Sequence, residues 1–312
     1  MYYGDVIDYH THIWPHSHSL EKSPSISVEL LERYCSYAHE VNVSEIAVTE
    51  HLFRFKQAFE LLNGWWEESD SADQDVALLQ ESMKRYFLEH AVYDLDEYVD
   101  CIQTAQKKGL PVLAGLEVDY YKNRMDDIST LVGRYPFDVL LGSIHWLGAW
   151  RFDDLDDQLS MDKWDTANLG QVWNSYVRAV EELADSGVCD VLAHPDLPKV
   201  VGDKGNLDDN SGSSEMSNNL WERIAKALSS AHMAAEVSSA GWRKPAAEAY
   251  PNVELLKQLF LLKVPVTTAS DAHVLADIGK DFSKLRVLLD NIGYKSVTRF
   301  SKREGFSHPL ER

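Results

Sequence analysis

The chain predicts an α/β protein built on parallel strands, and three observations carry that prediction. Short β-branched runs alternate with longer amphipathic stretches, the rhythm of repeated strand–helix units. Seven such units fit into 312 residues, enough for one large domain or two small ones. With 45% hydrophobic residues, the chain can bury a substantial core around them. The pattern alone fits a closed parallel barrel and an open doubly wound sheet equally well.

The elements follow in order. Val6–Tyr9 reads as the first strand, Val28–Val41 as a helix and Glu45–Val48 as the second strand. Phe53–Tyr93 interrupts the rhythm as a long insertion carrying Glu67, Glu68, Asp70, Asp73 and Asp75, part helix and part loop. Asp94 and Glu97 make a capping box for a helix to Lys108, which Gly109-Leu110-Pro111 ends. Strands are predicted at Val112–Gly115 and Val139–Leu141. A second break, Arg151–Asp165, carries Asp153, Asp154, Asp156 and Asp157. A helix at Leu169–Ser186 leads to a strand at Val191–Ala193, and a Gly/Asp/Asn/Ser-rich loop occupies Val201–Ser214. Helices Glu215–Ala231 and Val253–Leu262 alternate with strands Ala234–Val237 and Val264–Thr268. Acidic runs of this kind are usually solvated surface, although each break follows a strand, where lids are found.

Charge and cysteine content exclude several classes. A formal net charge of -20 opposes general binding to a nucleic-acid backbone. A small anion is acceptable only if metal ions reverse the local field. Cys35, Cys101 and Cys189 form neither a disulfide framework nor a metal knuckle. The first residues lack the basic and apolar segments of a leader, and no run is long enough for a bilayer. A soluble protein of a reducing compartment, the cytoplasm, is the expectation.

The placement of the twelve histidines carries the chemistry. His10 and His12 end the first strand, and alternate strand residues share a face. His51 follows the second strand, Glu117 the third, His145 the fourth, His194 the fifth and Glu236 lies in the sixth. Asp271 and His273 close the seventh. Any one of these alone would be an ordinary buried or loop residue. Seven in succession are different, because an unpaired buried polar group costs ~1–3 kcal/mol and a shared metal cluster satisfies them together. In a barrel all these ends lie on the one face that carries active sites. His39, His90, His232 and His308 fall in helices, beside them or in the tail, and read as structural or surface residues.

An imidazole-rich set with a few carboxylates suits Zn, Fe or Mn better than Mg or Ca. One four-coordinate ion would leave half the donors unused, so two or three divalent transition-metal ions are expected, with Glu117 or Asp271 able to bridge. Such ions supply hydroxide near neutral pH without a protein nucleophile. No GxSxG, P-loop or GxGxxG competes.

The chain resembles the PHP family of metallophosphoesterases, and within it the histidinol-phosphate phosphatase branch. The resemblance runs from DYHTH to ASDAH, through TEH, GSIHW, HPDLPK and EVSSAGWRKPAAEAYP. It implies a distorted (βα)7 barrel, a single domain over 1–312, with insertions at about 53–93, 151–165 and 201–214. It also implies that His10, His12, Glu117 and Asp271 hold one metal, and that Glu117, His145 and His194 hold a second. A third would take His18, His51 and His273, with His16 an alternative to His18. Family members usually carry Asn-Thr where this chain has Ser238-Ser239, and the insertion after His51 is unusual.

The resemblance implies hydrolysis of a phosphomonoester, L-histidinol phosphate first, by a metal-bridging hydroxide, with inorganic phosphate released. Another small phosphorylated metabolite, such as a nucleotide or sugar phosphate, is the alternative substrate. A catalytically silent PHP module is a third reading, opposed by the complete ligand set. Arg243, in the loop after the sixth strand, is expected to bind the phosphate; Lys199, Arg54 and Glu236 are further candidates for substrate contact.

Overall fold

Strands buried on both faces must be apolar almost throughout, and the β-branched runs fold that way. The computed structural model describes residues 6–15, 26–68, 74–207 and 214–310. Seven strands, β1 (Val6–Thr11), β2 (Val43–Val48), β3 (Val112–Asp119), β4 (Val139–Ser143), β7 (Val191–Leu192), β8 (Ala234–Ser238) and β9 (Val266–Ala269), pair in that order and in parallel. Two antiparallel hairpins complete the β-structure, β5 (Trp146–Leu147) with β6 (Trp150–Arg151) and β10 (Ser296–Ser301) with β11 (Glu304–Pro309).

The sheet curls until its edges almost meet. Thr268 Oγ1 donates to Ile7 O at 2.6 Å, and His12 N donates to Ala272 O at 2.8 Å. Of the two folds that the pattern allows, the chain adopts the barrel. Helices surround it: α1 (Val28–Glu40), α2 (Lys56–Leu62), α3 (Gln74–His90), α4 (Leu95–Lys107), α5 (Met125–Val132), α6 (Gln158–Thr166), α7 (Leu169–Ser186), α8 (Ser214–Ala231), α9 (Val253–Leu261) and α10 (Phe282–Ile292). Side-chain caps start several of them. Asp94 accepts from Asp96 N and Glu97 N, Ser27 from Leu30 N, and Asn252 from Leu255 N. No helix of the described residues is long and apolar enough to cross a membrane.

Three departures from the sequence pattern shape the barrel mouth. β3 runs to Asp119 rather than stopping at Gly115, because Glu117 and Asp119 continue the ladder opposite Leu141 and Ser143. A glycine in a strand reads as a break, yet here its missing Cβ gives Thr49 Cγ2 the room it needs, at 2.7 Å from where that Cβ would stand. The 53–93 insertion is mostly helical, and its aromatic side turns inward. Phe53, Phe87 and Trp66 are buried, with Phe87 packed at 5.7 Å from the Trp146 ring of the first hairpin. Its Glu67 and Glu68 stay exposed, while Asp70, Asp73 and the Asp75 side chain lie outside the described residues. The 201–214 loop begins inside a 3-10 segment, Leu197–Lys204, and residues 208–213 are likewise outside.

Candidate metal centre

Consecutive strand ends bring the donors together because parallel strands all finish at one rim. His10 and His12 lie one period apart on β1 and beside it, so both rings face the axis. Glu117 on β3 sits among them with both oxygens engaged. Its Oε2 lies 3.2 Å from His10 Nε2, 3.5 Å from His12 Nε2 and 2.9 Å from His51 Nδ1. Its Oε1 lies 3.0 Å from His194 Nε2 and 3.3 Å from His145 Nε2. Asp271 Oδ1 is 3.7 Å from His10 Nε2, 3.6 Å from His12 Nε2 and 3.5 Å from His273 Nδ1. The His12 ring stacks between those of His51 and His273, at 4.5 and 4.2 Å.

Eight of the nine ligand candidates therefore converge. His18, like its competitor His16, lies outside the described residues. His10, His12 and Asp271 form one compact donor group, His51, Glu117 and His145 another, His10, Glu117 and His194 a third, and His12, His51 and His273 a fourth. The groups share members, as donors around closely spaced ions must. His39, His90, His232 and His308 belong to none of them.

The donor chemistry fits cations. His10 Nδ1 is 2.7 Å from Glu236 Oε2, which fixes the proton on Nδ1 and leaves Nε2 a bare lone pair. His145 Nδ1 is held the same way by Asp119 Oδ1 at 2.6 Å. Yet His10 Nε2 faces His12 Nε2 at 3.1 Å, and His145 Nε2 faces His194 Nε2 at 3.3 Å. Two nitrogens bound to one tetrahedral ion at roughly 2.05 Å stand about 3.3 Å apart. Lone pairs so placed need an electron-poor centre between them. Carboxylates holding the outer nitrogens of metal-ligating imidazoles are the usual supporting arrangement.

The electrostatics agree. Burial opposes the charge on Glu117, but His51, His10 and His145 outweigh it and hold the carboxyl well below the usual range. Burial would also depress the His145 imidazole; Asp119 and Glu117 reverse that and push it up to about 10, so without a metal ion its inward nitrogen holds a proton, which a bound cation would displace. Burial acts against charge on His51 as well, and there it prevails over Glu117, taking the ring down to about 4. His194 and Asp271 also carry positive φ, 28° and 50°, a conformation that costs about 1–3 kcal/mol for a non-glycine residue and collects at functional sites.

A cavity of about 270 Å³ opens onto this face. Phe53, Tyr86 and Trp146 wall one side, and Arg151, Asp153, Asp154, Lys244 and Tyr250 stand around it. None of the four residues expected to meet substrate lines it. Arg54 is buried, 3.6 Å from Glu50 Oε2, and donates to Pro15 O. Lys199 is enclosed by Asp196 at 2.8 Å and Glu248 at 3.0 Å. Glu236 holds His10 from behind. Arg243 donates to Ser270 O and Ser239 Oγ, bracing the turn that presents Asp271. Two other cations do line the cavity, Arg151 and the neighbour of Arg243, Lys244. Sequence reading also missed Asp153, whose carboxylate comes within 3.9 Å of His145 Nε2 although it belongs to an acidic run that reads as surface. Glu50, adjacent to His51 in the TEH motif, was passed over as well; it accepts from Ile13 N and Trp14 N and lies 3.6 Å from His12 Nδ1.

Comparison with known proteins gives the same direction. Residues 15–240 match the model of the PHP domain. A Deinococcus radiodurans protein named "Probable histidinol-phosphatase" is 31% identical over 208 residues, 65% of this chain and 75% of that protein. A crystal structure from Listeria monocytogenes, assigned as a histidinol phosphatase, superposes with a TM-score of 0.67 at 19% identity, over 89% of this chain and 99% of its own. The histidinol phosphate phosphatase of Lactococcus lactis, solved with Zn, L-histidinol and phosphate, gives 0.63 at 19% identity, over 97% of this chain and 99% of its own. With its seven-stranded barrel and this rim of histidines and carboxylates, the chain belongs to the PHP family and stands with that family's histidinol-phosphatase branch.

Proposed function

We propose that this protein is a metal-dependent phosphomonoester hydrolase whose favoured substrate is L-histidinol phosphate. The observation that carries the reading is Glu117, a buried carboxylate whose two oxygens face two different sets of imidazole nitrogens. His10, His12 and Asp271 would hold one ion with Glu117, and His145 and His194 another. His51 and His273, together with His18, which lies outside the described residues, would hold a third if three are bound. Ions in such a site act as Lewis acids on phosphoryl oxygens and supply hydroxide near neutral pH.

The chain's own residues supply orientation and selection. Glu236 and Asp119 fix the tautomers of His10 and His145, so each presents a lone pair inward. Lys244 brings a positive charge to the approach of a phosphate dianion. The rings of Phe53, Tyr86 and Trp146 offer a surface for a planar leaving group, and Asp153 offers it a negative partner. A leaving alcohol bearing both a ring and a cationic amine matches that lining better than a nucleotide or a sugar. The Lactococcus lactis relative with L-histidinol and phosphate in its structure supports the same choice.

A panel of phosphate esters, assayed after reconstitution with Zn, Mn or Fe, tests the proposal. L-histidinol phosphate should exceed nucleotide and sugar monophosphates in kcat/KM by about tenfold or more. A sugar or nucleotide phosphate turned over as well would reassign the substrate, and phosphate release from no ester would overturn the enzymatic reading.

A further inference from the structure

The buried tyrosines of this molecule obey a rule, and one of them breaks it. Tyr98 Oη donates to Val48 O and Gly115 O, Tyr176 Oη to His194 O, and Tyr121 Oη to Asp119 Oδ2. Tyr34 reaches His12 O, Tyr294 reaches Val264 O, and Tyr9 is bonded to Glu45. Tyr250 is only 1% exposed, yet its Oη has no hydrogen-bond partner among the described residues. The hydroxyls of Thr49, Ser143 and Thr267 are also unpartnered among the described residues, but none of those three residues lines the metal-face cavity; a buried hydroxyl left this way forfeits its water and gains nothing.

The ring is held firmly, so the vacancy is not slack. Tyr250 N donates to Ser238 O at 3.1 Å and Ser238 N to Tyr250 O at 2.6 Å, stitching the residue to the end of β8. One ring face lies under Lys199 Nζ at 5.1 Å, and the His194 ring meets it edge-on at 6.3 Å. Gly241 lets the loop close over it, since a Cβ there would stand 2.1 Å from Glu248 O. The residue nevertheless lines the metal-face cavity beside Glu117, His194, Asp271 and His273. A preset donor without an acceptor, at the wall of the cavity that the proposed phosphate ester would enter, calls for an oxygen acceptor there.

We propose that Tyr250 is a substrate-binding residue whose O–H donates to a phosphoryl oxygen of the ester, and afterwards to the product phosphate. This rests on the phosphatase reading above. A phenol keeps its proton at neutral pH and can only gain by meeting an oxyanion.

Tyr250→Phe isolates the hydroxyl while keeping the ring, its Lys199 contact and its packing. Three measurements on metal-loaded protein decide the matter: competitive inhibition by inorganic phosphate, Tm with and without phosphate, and metal content. Phosphate inhibition should weaken by about ten- to a hundred-fold, as expected for a hydrogen bond to a charged group. The phosphate-dependent rise in Tm should shrink, while the Tm without phosphate stays level or rises, because an unsatisfied buried group has been removed. Unchanged phosphate inhibition would overturn the proposal. So would a fall in metal content or in the phosphate-free Tm, since either would make the hydroxyl structural. Wild-type protein that hydrolyses no ester and binds no phosphate would instead remove the phosphatase reading, and this inference with it.

Discussion

Glu117 contributes a single side chain, but five imidazoles take their bearings from it. Glu117→Gln keeps the shape and removes the charge that allows cations to approach each other closely. Metal content should fall, and turnover should drop by about 10²-fold or more; near-normal turnover with full metal would deny Glu117 its bridging place. The carboxylates behind the ring have a gentler signature. Asp119→Asn should weaken metal binding by about 10- to 100-fold through the orientation of His145, which titration with a competing chelator would read. Unaltered affinity would mean that the ring is held by packing alone. At this scale the sequence was informative where period-two strand geometry dictates direction, which is why the shared face of His10 and His12 could be read from spacing; Glu117 and His145 lie beyond the strands as read, and His145 lies past the end of β4. It was blind where a loop decides. Arg243 and Lys244 are adjacent, and only the backbone turn after β8 determines that the first braces Ser270 while the second faces the cavity.

Elements set the wall of the cavity rather than its chemistry. α3 lies across the first hairpin, and Arg151 locks the two together. Its guanidinium sits 4.2 Å from the centre of the Tyr86 ring and pairs with Asp154 at 2.9 Å and Asp157 at 3.3 Å. Arg151→Ala would leave those two carboxylates uncompensated beside an anion's path and free the Tyr86 ring. KM should rise by about tenfold with kcat little changed, since the contact is made in the ground state as in the transition state. A fall in kcat at constant KM, in steady-state kinetics, would place Arg151 closer to the reacting atoms. Strands and capped helices were legible because their periodicity is local. The insertion was readable as part helix and part loop, but its inward aromatic side and the two hairpins were not: aromatic residues such as Phe53, Phe87 and Trp146 take their meaning from each other across nearly a hundred residues of chain.

The molecule as a whole is strongly acidic, so its attraction for a phosphate ester must be generated locally. Metal ions at the rim would do this, and they would also relieve the lone-pair and carboxylate crowding around Glu117. Stability should therefore depend on metal: chelation should lower Tm, and readdition of Zn or Mn should restore it, because a ligand bound only by the folded state stabilises that state. An unchanged Tm after complete metal removal would show that the cluster is satisfied by protons alone. Seven repeated units, each ending in a donor, left barrel and open sheet undecided, and the choice of the barrel came from the PHP resemblance; the count of ions was not legible, since neighbouring donor groups share residues. Elemental analysis of gently purified protein, repeated after reconstitution, tests the central claim most directly. Two to three equivalents of transition metal per chain are predicted, and less than one equivalent in both preparations would contradict the account.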